Sequence, residues 1–281
     1  MRAVHAESEI VSRLATRVAK RGVENYLSWS YDAEKARLLA CLEKRRAGAF
    51  TYTFSISASV PTVYSSAYAC MILGLVGELE TLSAKDRRKW ADYFDSFQSE
   101  KDGFFRDPAL MDGGFESGGA WGGGWGMWHL AAHLAIVYGR LGFRPKHRLT
   151  FLDPFFDPAH LETWLGRFDF SANVWSQSNH IMNLYSLLEF ARDFMGETRA
   201  GPPLERIAEW LLERQNAATG MWHTYDASAY PNLGDAIRGA YHFFPLFSYE
   251  NRSVPFRERV IDAVLSSQNS WGAFENEKCP A

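Results

Sequence analysis

Leu211-Leu212-Glu213-Arg214-Gln215, followed by Thr219-Gly220-Met221-Trp222, is the stretch on which the fold is read. Its parts recur in Val264-Leu265-Ser266-Ser267-Gln268 with Trp271-Gly272-Ala273-Phe274, and in Ser96-Phe97-Gln98 with Asp102-Gly103-Phe104-Phe105. Leu42-Glu43-Lys44-Arg45 with Ala47-Gly48-Ala49-Phe50 is a weaker copy. Each unit is a helix, a Gln at its end in three copies, and Gly-x-aromatic a few residues later. Physics supports the unit: a glycine after a helix takes the positive φ that ends it, and a Gln amide can satisfy carbonyls left unpaired there. The following aromatic packs back on the turn.

The glycines at 48, 103, 220 and 272 lie 55, 117 and 52 residues apart, so the middle gap is about two periods. A degenerate copy is expected near its midpoint, at Trp164-Leu165-Gly166-Arg167-Phe168-Asp169. A period of this size is the signature of stacked helical hairpins. Helical spacing of apolar residues fills the intervals, at roughly 7–22, 32–46, 62–81, 84–98, 121–142, 158–167, 175–195, 203–215, 233–249 and 253–268. Val63 to Leu79 and Met127 to Leu141 are apolar on most faces and are expected inside. Arg87 to Gln98, Pro203 to Gln215 and Pro255 to Gln268 carry a charged face and are expected outside. Ser83, Pro202-Pro203 and Pro255 are suitable helix starts.

The pattern of helix, Gln, Gly-x-aromatic on alternating inner and outer helices resembles the QW-type repeats of the terpenoid cyclase and protein prenyltransferase superfamily. Ser59 to Ala69 is similar to the inner-helix entry of such proteins, and the likeness covers roughly residues 40 to 276. It implies an all-α fold, an α/α toroid with inner and outer helix rings of about five pairs, and a central aromatic cavity for an apolar or isoprenoid substrate. The chain departs from that family's chemistry. It has no Asp-x-Asp-Asp acid and no Asp-rich diphosphate motif, and Asp112-Gly113-Gly114 lacks the Cys of a zinc-binding Asp-Gly-Cys. Only seven residues follow Phe274, so the ring is expected to be open at one edge, where a partner chain or a further C-terminal segment would dock, unless the N-terminal helix within 1–30 completes it. Residues 1–281 read as one domain.

Composition narrows function by exclusion. A net charge of −3 with no basic cluster argues against nucleic acid, since Lys85-Asp86-Arg87-Arg88-Lys89 is mixed in sign and reads as a solvated helix start. Cys41, Cys70 and Cys279 are isolated, which fits a reducing, cytoplasmic setting and no disulfide framework. The longest apolar stretch, Tyr64 to Gly77, is too short to span a bilayer, and Met1 to Glu24 lacks a signal peptide's apolar core. No cofactor or metal motif is read.

Aromatic residues make up 15% of the chain, several beside glycines, which points to rings lining turns or a cavity. The Gly-rich run from Asp112 to Trp125 could bring Asp112 or Glu116 beside Trp121 and Trp125 at a cavity mouth, or serve as a plain connection. Asn179 and His180 open an apolar helix, and an Asn and a His there could hold a carboxylate and transfer a proton, as in toroid polysaccharide lyases; a helix cap with a buried His is the plainer reading. His223, Tyr225 and Asp226, with Tyr241 and His242, gather titratable groups in one repeat. His129 and His133 share a helix face, but no third ligand is evident and ordinary inner-helix hydrogen bonding is expected. Catalytic candidates are therefore Asp112, Glu116, His180, His223, Asp226 and His242. Substrate-binding candidates are Trp121, Trp125, Asn179, Tyr225 and Tyr241. Three functions compete: an enzyme-like isoprenoid-binding toroid, a carbohydrate-active toroid (lyase or hydrolase), and a non-catalytic interaction domain.

Overall fold

A computed structural model of the chain describes residues 30–110, 124–226 and 232–268. These residues are all-α, with eleven α-helices: α1 (Tyr31–Glu43), α2 (Val63–Leu75), α3 (Glu78–Thr81), α4 (Ala84–Asp95), α5 (Trp125–Leu141), α6 (Pro158–Leu165), α7 (Val174–Asp193), α8 (Gly201–Glu213), α9 (Asn232–Ala240), α10 (Phe244–Tyr249) and α11 (Arg257–Ser266). A 3-10 helix, Thr150–Phe156, precedes α6. Among the described residues there are no strands, and no helix is long and apolar enough to cross a membrane.

The helices form two layers. In the inner row α2 packs on α5, α5 on α7, and α7 on α9; α4 lies behind α5, and α8 behind α7 and α6. The assignment follows from the side chains. α7 sits at the centre of the row and buries 13 of its 20 residues, so it is apolar or hydrogen-bonded on most faces. α8 buries one face, Pro203, Leu204, Ile207, Ala208, Trp210 and Leu211, at the helical spacing that leaves the opposite face to water.

Two of the expected repeat turns are realised with one geometry. At Gly103 (φ +84°) and Gly220 (φ +71°) the chain turns through the left-handed region. Their N–H groups donate to Ser99 O at 2.8 Å and Asn216 O at 2.7 Å. Gln98 Nε2 donates to Gly103 O (3.1 Å) and to His147 O (2.9 Å). Gln215 Nε2 does the same to Gly220 O (2.7 Å) and Pro255 O (2.9 Å). Each Gln thus ties the end of one outer helix to the backbone that leads to the next. Phe105 and Trp222, seven residues after each Gln, are fully buried beneath the turn, and the Trp222 indole N–H donates to Leu211 O.

The other copies differ. Around Gly48 the turn is one residue shorter: Ala47 N donates to Thr51 O, and the residue paired across the turn is Tyr52, bridged to Arg46, instead of Phe50. Gly166 caps α6 in the right-handed region (φ −62°), and it is Phe170 that goes left-handed (φ +53°), held by backbone N–H donation from Asp169 and Phe170 to Gln177 Oε1. The copy at Gly272 lies outside the described residues, as does the expected helix at 7–22.

Two long helices expected from spacing are interrupted. Gly77 (φ +78°) separates α2 from α3. α9 and α10 are separated at Tyr241 to Phe243, because Pro245, the second residue of α10, has no N–H for the Tyr241 carbonyl and its ring clashes there. The last helix starts at Arg257, two residues beyond Pro255, because Phe256 is left-handed (φ +57°).

Candidate functional site

α5 opens at Trp125 immediately after left-handed Gly124, and spacing of four residues then stacks Trp125, His129 and His133 in a column on one face. Ring centroids are 4.7 Å apart for Trp125 and His129, and 4.2 Å for His129 and His133. α2 presents a matching column. Tyr64 and Tyr68, also four apart, face the histidines, and the Tyr64 hydroxyl pairs with His129 Nδ1. His133 Nδ1–H donates to the His129 carbonyl at 2.7 Å, which leaves its Nε2 to accept from Tyr68 Oη at 3.2 Å. Both nitrogens of His133 are therefore used. His129 Nε2 has no hydrogen-bond partner among the described residues.

α7 joins this column through Asn179, whose Oδ1 accepts from the Trp125 indole N–H (2.6 Å) and from Asn183 Nδ2 (3.1 Å). Because two donors fix that oxygen, the Asn179 amide nitrogen faces His242 Nε2 at 3.3 Å, and His242 must carry its proton on Nδ1. That proton goes to Ser178 Oγ at 2.7 Å, and Ser178 in turn donates to Trp175 O. His242 is fully buried and uses both nitrogens. Its role in this arrangement is to orient Asn179.

The cluster is electrically neutral. Burial, followed by the neighbouring His133 and His242, lowers His129 to about 3. Burial also lowers His242 to about 4, lowers His133, and raises the Tyr64 hydroxyl well above its ordinary value. At neutral pH the imidazoles are uncharged and the Tyr64 phenol is protonated. The Tyr64–His129 pair consequently has two neutral forms. With O–H donating to Nδ1, the open Nε2 carries a proton; with Nδ1–H donating to Oη, Nε2 offers a lone pair. One dyad can therefore give or take a proton at the same atom.

The remaining candidates are distributed around this cluster. Tyr241, 56% exposed, lies tilted at 40° against His242 with ring centroids 4.2 Å apart and interacts through its hydroxyl with Trp175. His223 is buried inside the Gly220 turn, between Thr219 Oγ1 (2.8 Å) and Tyr225 O (2.8 Å). Tyr225 donates to Asp235, and the same carboxylate caps α7 by accepting from Val174 N and Trp175 N. Asp226 is exposed. His180 faces away from its neighbour Asn179, toward Phe168. Asp112, Glu116 and Trp121 lie outside the described residues. Among the described residues, no group of three or more His, Cys, Asp or Glu could hold a metal ion.

Tyr64 and Tyr68 were absent from the sequence candidates, although their spacing of four matches that of His129 and His133. That shared interval was the available signal. Set against known protein families, curated proteins and solved structures, the chain matches none of them.

Proposed function

We propose that the inner-row cluster is a carbohydrate-active site that works by proton transfer, with the Tyr64–His129 dyad as acid and base and Trp125 as the platform for a sugar ring. The observation that carries this reading is the open Nε2 of His129, set beside a part-exposed indole and the fixed carboxamide of Asn179. Neutral donors and acceptors match a polyhydroxylated ligand, and the rings of Trp125, Trp175 and Tyr241, all more than a third exposed, offer faces for the apolar side of a pyranose. A uronate substrate would place its carboxylate at the Asn179 amide and its acidic carbon at the dyad, which is the chemistry of β-elimination. Both this reading and the next take the inner row as one arc of an α/α toroid.

A second reading keeps an apolar or isoprenoid ligand, as in terpenoid cyclases and prenyltransferases. Its support is the five contiguous rings of Tyr64, Tyr68, Trp125, His129 and His133, whose faces suit a carbocation. One experiment separates the two. Uronate oligosaccharides and farnesyl diphosphate are each titrated against the full chain, reading tryptophan fluorescence and the ultraviolet absorbance of an unsaturated sugar product. Glycan turnover is expected, with Tyr64→Phe and His129→Gln each losing about 10²-fold or more in kcat and Trp125→Ala acting on KM. Saturable quenching by farnesyl diphosphate, with no response to any glycan, would replace the first reading with the second.

A further inference from the structure

On a different face of α7 from Asn179 a separate cavity of about 170 Å³ opens between the inner row and the segment from the 3-10 helix to α6. Its walls are rings. Phe155 meets Trp128, His160 and Trp164 edge to face, at centroid distances of 5.6, 5.1 and 5.4 Å and interplanar angles of 86°, 89° and 90°. Phe155 and Trp164 are buried and form the floor, while His160 and Arg167 are exposed and form the mouth. His180 lines the cavity from α7.

Three polar side chains converge here without hydrogen bonds. Among the described residues, neither the imidazoles of His160 and His180 nor the guanidinium of Arg167 has a hydrogen-bond or ion-pair partner. Elsewhere arginines are matched: Arg192 holds Glu250, Arg199 holds Glu197, Arg252 holds Glu205, and Arg206 takes Glu162, while the Asp169 carboxylate, two residues beyond Arg167, is taken by Ser171 and Gln177. The cavity lining itself contains no carboxylate.

We propose that this cavity is a binding site for a small aromatic carboxylate, its ring among Phe155, Trp128 and Trp164 and its carboxylate on Arg167 with the two imidazoles as further donors. Size supports one ring, since an apolar cavity of about 150 Å³ accepts benzene. Charge selects the anion. An aromatic cage would otherwise suit a quaternary ammonium, but a free guanidinium at the mouth and no acidic residue in the wall repel a cation. A guanidinium fork matches a carboxylate in two parallel hydrogen bonds.

The test is isothermal titration of the full chain with benzoate, phenylacetate and, as the opposite charge on the same ring, benzyltrimethylammonium. Benzoate or phenylacetate is expected to bind with a Kd of roughly 10 μM to 1 mM and to quench tryptophan fluorescence. Arg167→Met, a change at an exposed side chain that leaves the core intact, is expected to weaken binding about tenfold or more, the loss of one charge-assisted contact. Leu184→Phe, which fills the cavity from α7, is expected to abolish it, with circular dichroism confirming the fold. The proposal is overturned if neither carboxylate gives a saturable signal up to ~10 mM, if the ammonium binds in their place, or if Arg167→Met binds benzoate as the parent does.

Discussion

The Gln98 and Gln215 turns are built from the same parts, yet one is completely satisfied and the other is not. Gln98 Oε1 accepts from His147 N at 2.7 Å, completing a closed pair with the backbone ahead of the 3-10 helix. Gln215 Oε1 is buried with no hydrogen-bond partner among the described residues. The cause is one residue. His147 and Pro255 occupy equivalent places, and proline has no N–H to give. The same half of the molecule holds the other buried acceptors without a partner among the described residues, Asn183 Oδ1 and Glu189 Oε1. The lesson is that a repeated motif preserves geometry more readily than it preserves saturation.

The largest test of this contrast is at the glycines. A Cβ on Gly103 would lie 2.1 Å from the Arg148 carbonyl oxygen and 2.9 Å from Leu149 Cα, both backbone, so Gly103→Ala is expected to cost about 3 kcal/mol or more in urea unfolding. At Gly220 the closest atoms are Val260 Cγ2 at 2.6 Å and the Phe256 carbonyl oxygen at 2.8 Å, both on or just ahead of α11, a helix that buries none of its residues. Gly220→Ala is therefore expected to loosen α11 locally, seen as faster amide exchange there, with a smaller global loss. Equal global losses would break the contrast.

Next come the glutamines. Gln98→Ala removes three hydrogen bonds and strands the His147 N–H, an expected loss of about 2–3 kcal/mol; Gln215→Ala, which also deletes an unsatisfied acceptor, should cost about 1 kcal/mol. Thermal denaturation of both variants decides the order.

The third test is pH. Burial, then the charge of Glu250, pushes the Glu189 carboxyl up to about 9 from an ordinary 4.5. Between those values the folded chain holds a proton that the unfolded chain has lost, so this group makes stability fall as pH rises. Glu189→Gln should remove that slope, gaining on the order of 2 kcal/mol at pH 8 and little at pH 4.5. Parallel stability curves for variant and parent would show that Glu189 is not held in its neutral form. Smallest in effect is Pro255→Ala, which restores an N–H opposite Gln215 Oε1 but frees the unfolded chain, for a net change within about 0.5 kcal/mol. Its value is in a double-mutant cycle: Gln215→Ala should cost about 1 kcal/mol more in the Pro255→Ala background.

Much of the helical frame was legible because its markers are chemically particular. Gln with Gly-x-aromatic reads as a turn since few other residues supply a reaching amide followed by a left-handed backbone, and both Gln98 and Gln215 do so. Gly48 misled because a glycine can sit in a turn without a positive φ. The break between α9 and α10 was foreshadowed by Pro245 and obscured by the apolar run around it. The site was less legible. Tyr64 and His129 are 65 residues apart, and so are Tyr68 and His133, so only the packing of α2 on α5 joins them. Asn179 and His180 read in sequence as a helix cap with a buried His or, less plainly, as a working pair, but one residue of helix is a turn of about 100°, and it sends them to different faces of α7.

The two glutamine ties also have a mechanical meaning. Each connects one outer helix directly to the segment preceding a later outer element, without passing through the inner row. The outer layer is thereby linked by ties whose length is fixed by short amide contacts to backbone, while the inner helices meet largely through packed and hydrogen-bonded side chains. Load applied along the outer layer runs through those few contacts, and adjustment around a ligand falls to the inner row. In a stack governed by nearest-neighbour coupling, the tie at Gln215, with one acceptor idle, is the link that yields first.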